Sequence, residues 1–253
     1  MVPAPTARFS DRVEDYVRYR PSYPSQVLEL LQRECGLKPE HVVADIASGT
    51  GAFTKLLLEN GNPVIAVEPN AAMREAGTQL LSGFDKLTSL EGTAEATTLS
   101  SASVDFVTAA QAAHWFDRVR ARAEFSRIMK PEGWCVLIWN ERRTDSTQFL
   151  RDYEQLLLTY GTDYKEIRHE RTTAMIHEFF APAPHREATF NLSQEFDFEG
   201  LAGRLLSSSY APLTGHPNHE PMMRELKRIF AVHAEQNSVH FEYKTRVFYG
   251  RLG

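Results

Sequence analysis

Cysteine is scarce in this 253-residue chain: Cys35 and Cys135 are the two present, and they form no CxxC pair. That excludes a disulfide framework and a thiolate metal site, and it fits a reducing compartment, so a cytoplasmic location is expected. Long apolar runs are missing too. None approaches the roughly 18 residues needed to span a bilayer, and the opening MVPAPTARFSDRVEDY lacks a basic region followed by an apolar one, so no membrane partner is expected. Positive charge is not in excess. A net charge of −5 argues against a protein that works by neutralising many phosphates, and no nucleic-acid partner is expected. His216 and His219, in TGHPNHE, have no third convergent ligand, so no metal is expected. With 42% hydrophobic and 24% charged residues, the composition is that of a globular protein with a sizeable core.

What is present is alternation. Between about 42 and 140, short β-rich runs (HVVADIA, PVIAVEP, LTSLEG, VDFVTAA, WCVLIWN) alternate with helical patterns (AFTKLLLEN, AAMREAGTQLL, RARAEFSRIMK). This is the pattern of βαβ units around a parallel sheet. Val64-Ile65-Ala66-Val67 and Val136-Leu137-Ile138 are apolar without alternation, as in strands covered on both faces. Turn formers stand at Gly61-Asn62-Pro63 before the second strand and at Pro131-Glu132-Gly133 before the fifth. Beyond Arg143 come two helical stretches, a strand (EATFNLSQEF), two more helices and a long closing strand (VHFEYKTRVFYGRL). We expect one α/β domain over 1–253: cap helices in 1–40, a ligand-binding core in 41–144, a helical cap insertion in 145–182 and completion of the sheet in 183–253. Ligands of such sheets bind at the carboxyl edge of the strands.

The loop Asp45-Ile-Ala-Ser-Gly-Thr-Gly-Ala-Phe-Thr54 joins the first strand to the first helix of the core. As a phosphate-cradling loop it fails twice, with Thr54 where the second glycine belongs and Leu56 where the metal-binding hydroxyl belongs. As a dinucleotide fingerprint it again meets Thr54 in place of the third glycine. Glu68, however, closes the second strand at the distance where an acid meets ribose hydroxyls. A carboxylate there accepts both protons of a diol. Together the two features point to an adenosine-containing ligand.

Asp45-x-Ala47-x-Gly49-x-Gly51 resembles the D-x-G-x-G-x-G signature of class I S-adenosylmethionine-dependent methyltransferases, and VIAVEPNAAM resembles their acidic second motif. The resemblance continues through GTAEATTLSSASVDFVTAAQAAHWFD and RIMKPEGWCVLIWN. More narrowly, YRPSYP, HWFD and LLSSSYAP followed by FEYKTRVFYGRL are similar to the trans-aconitate methyltransferase-like group of small-molecule enzymes. The resemblance implies a Rossmann-like fold, with a mostly parallel seven-stranded sheet, helices on both faces and a helical cap. It also implies S-adenosylmethionine as cofactor and S-adenosylhomocysteine as product. Asp45 would organise the loop, and the backbone at Ala47, Gly49 and Gly51 would approach the methionine part and ribose. Glu68 would take the ribose diol. Pro69, Asn70 and Met73 would lie beside adenine, although Met73 could equally be helix core. Ala94 and the Glu95 carboxylate would meet the adenine edge, and Gln111 the methionine part. In the N-terminal segment Tyr16–Pro24, Arg20 would pair with the methionine carboxylate and Tyr19 would form a wall. The first signature glycine is replaced by Ala47, whose methyl group restricts positive φ and so calls for an ordinary backbone conformation there.

His114 and Trp115 stand where an acceptor should approach, His114 as a general base or as a hydrogen-bonded wall. Asn140, Arg142 and Ser207 to Tyr210 are further pocket candidates. A carboxylate acceptor would want an arginine such as Arg142, and an aromatic one would use Trp115, Phe116 and Tyr210. The expected reaction is methyl transfer to an O or N atom of a small molecule: a carboxylate, phenol, amine or heterocycle. The alternatives are a nicotinamide-dependent oxidoreductase, which shares the diol-binding acid but here lacks a Tyr-x-x-x-Lys pair, and a non-catalytic module that keeps the fold. Monomer and homodimer are equally compatible with the pattern.

Overall fold

The computed structural model describes residues 17–164 and 172–252. Tyr16 and the N-terminal cap residues before it, together with 165–171 of the second cap, lie outside the described residues. The elements run α1 (Gln26–Cys35), β1 (Val43–Ile46), α2 (Ala52–Glu59), β2 (Val64–Val67), α3 (Ala71–Leu80), β3 (Leu87–Leu90), β4 (Val104–Ala110), α4 (Arg118–Ile128), β5 (Met129–Arg142), α5 (Gln148–Tyr160), α6 (Thr172–Phe180), β6 (His185–Phe196), α7 (Phe198–Leu206), α8 (His219–His233) and β7 (Val239–Gly250). Asn70, Asp117, Thr147 and Asp197 cap α3, α4, α5 and α7 by accepting a first-turn backbone N–H. Each such cap contributes about 1 kcal/mol.

The strands form one sheet in the order β3-β2-β1-β4-β5-β7-β6. β1 to β5 are mutually parallel, and β7 runs antiparallel to both of its neighbours, β5 and β6. This is the mostly parallel seven-stranded Rossmann-like sheet expected from the sequence. Residues of β5 alternate between two apolar layers. Cys135, Leu137 and Trp139 join Phe125 of α4 on one face, while Val136 and Ile138 join Val27 of α1 and Phe53 and Leu57 of α2 on the other. Both faces are therefore dry, which is why these strands read as unbroken apolar runs.

One sequence expectation is corrected. Pro131-Glu132-Gly133 does not precede the fifth strand. β5 begins at Met129, and its register with β4 jumps from Val104↔Met129 to Phe106↔Trp134, so the turn formers lie in an irregularity inside the strand. Within 145–182 the two described helices pack in different places. Ile176, Phe179 and Phe180 of α6, at i, i+3 and i+4, are buried in the face layer against Phe125. A stripe this apolar is stable only on the sheet.

α5 behaves differently. Its Phe149, Leu150, Tyr153, Leu156 and Leu157 pack with Leu201 and Leu205 of α7, Leu226 and Ile229 of α8, and Phe241 and Tyr243 of β7. β5 ends at Arg142, paired with Tyr243, whereas β6 and β7 continue pairing to Phe196↔Val239. This third cluster thus sits around the projecting ends of β6 and β7, beside the carboxyl edge of the parallel strands. Among the described residues no helix is long and apolar enough to cross a membrane.

Candidate functional site

The strand order reverses between β1 and β4, and the crevice beyond the carboxyl ends of such strands is where open α/β sheets take ligands. The first residue past each strand, Ala47 and Gln111, has positive φ, 54° and 59°. A left-handed backbone costs a residue bearing Cβ about 1–2 kcal/mol. Strain of this kind collects at binding and switch regions. For Ala47 the expectation of an ordinary backbone is overturned: the turn keeps the glycine conformation and carries the alanine methyl within it. Gly49 and Gly51 are left-handed as well, at 59° and 86°. A Cβ on Gly51 would come 2.5 Å from Leu81 Cδ1, so the Leu81 side chain would have to move, whereas a Cβ on Gly49 would meet nothing within 4 Å and so would project into open space.

The loop is held from beneath by Asp45, which is 1% exposed. Its Oδ2 accepts from the Thr54 hydroxyl at 2.6 Å and its Oδ1 from the Thr108 hydroxyl at 2.8 Å. Burial pushes the Asp45 carboxyl up to about 6 against the two threonine bonds, with Glu68 adding repulsion. Ionising it inside the fold costs about 3 kcal/mol relative to the unfolded chain. Thr54, which in the sequence only spoils two phosphate fingerprints, is thus the first-turn residue of α2 that ties the helix to the strand end. Thr108, on the neighbouring β4, has no sequence signal beyond a hydroxyl in an apolar run.

Glu68 holds the loop from the side. Its Oε2 accepts from Gly49 N at 2.9 Å and its Oε1 from Asn70 N at 2.8 Å, with the carboxylate 7% exposed as a residue. Burial raises its pKa, opposed by these two amides and by Arg74. Each oxygen therefore has one backbone donor and acceptor capacity to spare. Asn70 caps α3 through Met73 N at 3.0 Å, and Met73 is 4% exposed. Further along α3, a Cβ on Gly77 would come 3.2 Å from Gly49 O, so this glycine lets the helix lie against the loop.

Ala94 is buried and the turn around it closes by the Thr93–Ala96 bridge. The Glu95 carboxylate accepts from Asp117 N at 2.9 Å, which ties the turn to the start of α4. Gln111 Nε2 donates to Asn140 O at 2.8 Å, and Asn140 in turn donates to Ser22 O at 3.0 Å and accepts from the Thr245 hydroxyl at 2.6 Å. This chain of bonds fastens the segment carrying Arg20 to the end of β5. Arg20 Nη2 donates to Ser207 O at 3.0 Å. Tyr19 is placed in the third cluster, its ring packed on α7 where a Cβ on Gly203 would come within 2.0 Å of it. His114 and Trp115 lie on a 3-10 turn after β4 with ring centroids 4.6 Å apart. Phe116 instead faces Phe125 of the core, at 6.0 Å. His216 and His219 make local loop bonds, to Asn218 N and Pro212 O.

A second polar group gathers at the end of β5. Arg142, with its side chain 9% exposed, is bonded through Nη2 to Glu154 and to the Tyr164 hydroxyl at 2.8 Å, and its guanidinium lies 5.1 Å from the Tyr153 ring centroid. Arg204, 5% exposed, donates to the Tyr243 hydroxyl at 3.0 Å and to the Ser208 hydroxyl at 3.0 Å. Burial raises the Tyr210 phenol, and the guanidiniums of Arg204, Arg142 and Arg20 outweigh it, leaving the phenol below its ordinary value. Arg204 and Glu154 escaped the sequence reading. The available signal was a charged residue on the apolar face of GLAGRLL, three positions from Leu201 and one from Leu205.

A family model described as a methyltransferase domain matches residues 44–137. An uncharacterised methyltransferase of Mycobacterium tuberculosis, Rv3342, is 38% identical over 134 residues, 53% of this chain and 52% of the relative. An uncharacterised methyltransferase-like protein of Schizosaccharomyces pombe is 30% identical over 156 residues, 61% of this chain and 59% of the relative. The matched region thus spans between half and three-fifths of these relatives. Among solved structures, a provisionally assigned type II methyltransferase from Anaeromyxobacter dehalogenans superposes with TM-score 0.69 at 23% identity, covering 92% of this chain and 98% of that one. A provisionally assigned methyltransferase from an antibiotic biosynthesis pathway of Anabaena variabilis gives 0.67 at 22% identity, covering 93% and 99%. At these identities the likeness is one of fold.

Two outcomes follow from the loop geometry. Thr54→Val removes the hydroxyl donor from a buried carboxylate and leaves the Thr54 backbone bond, a loss of about 1–3 kcal/mol. Because the folded-state pKa of Asp45 is raised, its ionisation weakens the fold as pH rises through about 6. The loss in urea unfolding should therefore be larger at pH 8 than at pH 5, and an equal loss at both would contradict the account. Ala47→Gly should hold stability or raise it by up to about 1 kcal/mol, because relief of the left-handed alanine offsets the added chain entropy. A loss of about 1 kcal/mol in the same measurement would mean that position 47 is unstrained.

Proposed function

We infer from the match of segment 44–137 to a methyltransferase domain that the protein is a class I S-adenosylmethionine-dependent methyltransferase, which transfers a methyl group to an O or N atom of a small molecule. The observation that carries this is the pairing of Glu68, at the end of β2, with the N–H of Gly49 in the loop that follows β1, a glycine that borders open space. A carboxylate fixed by two backbone amides is held at the loop with acceptor capacity for a ribose diol. Bound there, S-adenosylmethionine supplies a methyl group already activated on a sulfonium.

The chain's own residues have the remaining tasks of alignment and exclusion of water. Glu68 orients the ribose, and the backbone at Ala47, Gly49 and Gly51 borders the amino-acid portion. Pro69 and Met73 lie on the adenine side, with Ala94 and Glu95 at the adenine edge. Gln111, fixed through Asn140, and Arg20, fixed through Ser207, bound the methionine end, with Tyr19 as a wall packed on α7. His114 and Trp115 face the acceptor. A protonated acceptor would give its proton to His114, and a carboxylate acceptor would leave His114 a wall. The 145–160 part of the cap insertion, with α7 and α8, completes the acceptor side.

Binding of S-adenosylhomocysteine, followed by calorimetry and thermal shift, tests this reading. Wild type should bind saturably. Glu68→Gln should weaken binding about 10- to 100-fold, the value of a charge-assisted hydrogen bond, and Glu68→Ala combined with Gly49→Val should abolish it. Absence of saturable binding by the wild type would refute the proposal.

A further inference from the structure

Residues 20–24, Arg-Pro-Ser-Tyr-Pro, lead into α1 as a short strap that is neither helix nor strand over 21–24. Different elements hold its parts. Arg20 Nη2 donates to Ser207 O, just beyond α7. The Tyr23 ring meets Phe53, in the first turn of α2, edge to face at 5.2 Å. Between them Ser22 O accepts from Asn140 Nδ2 at 3.0 Å. The strap therefore runs from α7, past the end of β5, to the helix that leaves the loop of Gly49 and Gly51, which carries it across the carboxyl edge of the sheet. Pro21 and Pro24 fix their own φ angles, so the strap is stiff and moves as a piece.

Asn140 is suited to that middle contact. It is 6% exposed and sits opposite Thr245 of β7, which is wholly buried. The Thr245 hydroxyl donates to Asn140 Oδ1 at 2.6 Å. This occupies the carbonyl side of the amide and turns its NH2 toward Ser22 O, a group that can only accept. Burying a polar pair in strands as apolar as these is unfavourable unless both members are bonded, and the amide donor goes to the strap, outside the sheet. The Asn140 backbone serves the other side of the crevice. Its carbonyl accepts from Gln111 Nε2 at 2.8 Å, while Gln111 N donates to Ile138 O at 2.8 Å. One residue thus holds the left-handed Gln111 through its main chain and the strap through its side chain.

We propose that Asn140 is a positioning residue, oriented by Thr245, whose amide latches the 20–24 strap over the donor and sets how long S-adenosylmethionine or S-adenosylhomocysteine is retained. This rests on the methyltransferase reading, in which the methionine end of the donor lies between Gln111 and Arg20. The strap that carries Arg20 has to lift for the donor to enter and the product to leave, and the Ser22 bond holds its middle. Changing the Asn140 side chain leaves the Gln111 bond in place, because that bond uses the backbone. Release is therefore altered while the rest of the crevice keeps its shape.

The test follows S-adenosylhomocysteine on the full-length protein by surface plasmon resonance, which separates association from release, and follows hydrogen exchange of the strap by mass spectrometry. Asn140→Leu combined with Thr245→Val removes the amide and its hydroxyl partner together. No buried polar group is orphaned, because Ser22 is exposed, and the urea midpoint should stay close to wild type. This variant should release S-adenosylhomocysteine about fivefold faster or more, the value of a lost hydrogen bond, with association within about twofold of wild type. In wild type S-adenosylhomocysteine should slow exchange in the strap, and in the variant it should not. Thr245→Ser, which keeps the hydroxyl, should release at the wild-type rate. If the double variant folds poorly, Thr245→Val alone, which frees the amide to turn, should speed release about twofold or more. Release unchanged in the variants, or a loss of affinity shared equally between the two rates, would overturn the latch. In that case saturable binding by the wild type would leave the methyltransferase reading standing, whereas no binding by the wild type would remove both.

Discussion

The site depends on one buried carboxylate. Asp45 lies under the loop that leaves β1, with a threonine hydroxyl on each oxygen, one from the helix that follows and one from the adjacent strand. Those two bonds fix the direction in which α2 departs and the spacing between β1 and β4 at the switch point. Everything above is referred to that point. Ala47 and Gly49 turn with positive φ over it, Glu68 reaches across from β2 to hold Gly49 N, and Gly77 lets α3 close against the back of the loop. The arrangement is stable only because the surrounding layers are dry and apolar on both faces of the sheet, which confines the polar groups to a thin seam at the strand ends. The raised pKa of Asp45 is the energetic mark of that confinement.

The backbone strain has the same origin. Ala47 and Gln111 sit at corresponding positions on neighbouring strands, and each turns into the left-handed region as its strand ends. The bends are held by backbone bonds: Ser48 N donates to Val67 O at 3.2 Å, Gly51 N to Ser48 O at 2.9 Å and Gln111 N to Ile138 O at 2.8 Å. Pre-formed in this way, the loop needs little reordering when a ligand arrives, which is the general route by which rigid sites gain affinity.

Much of this could be read from residues, and the parts that could not have physical reasons. Unbroken apolar runs such as Val64 to Val67 identify doubly covered strands, so the seven strands were legible. Asp45, Gly49, Gly51 and Glu68 were legible because their types and spacing are demanded by a turn and a diol. Thr54 was legible as the residue that excludes the phosphate fingerprints, but its bond to Asp45, nine positions away, was not. Ala47 was misjudged because intrinsic preference disfavours positive φ in alanine, and the tertiary frame overrides it. The cap was legible as helices but not as a layer, since α5 and α6 have similar apolar stripes and only their partners separate the sheet face from the carboxyl edge. The packing of Tyr19 on α7 was not legible, because its partner is the absence of a side chain at Gly203, which no local pattern announces.

The central claim is that the Asp45 and Glu68 frame holds a donor nucleoside at the carboxyl ends of β1 and β2. The structure of the complex with S-adenosylhomocysteine tests it most directly. The ribose hydroxyls should lie within about 3.2 Å of the Glu68 carboxylate oxygens, with the Gly49 N bond kept and the amino-acid end between Gln111 and Arg20. A nucleoside bound elsewhere, or a Glu68 side chain swung away from Gly49 with the ribose held by other groups, would contradict the account.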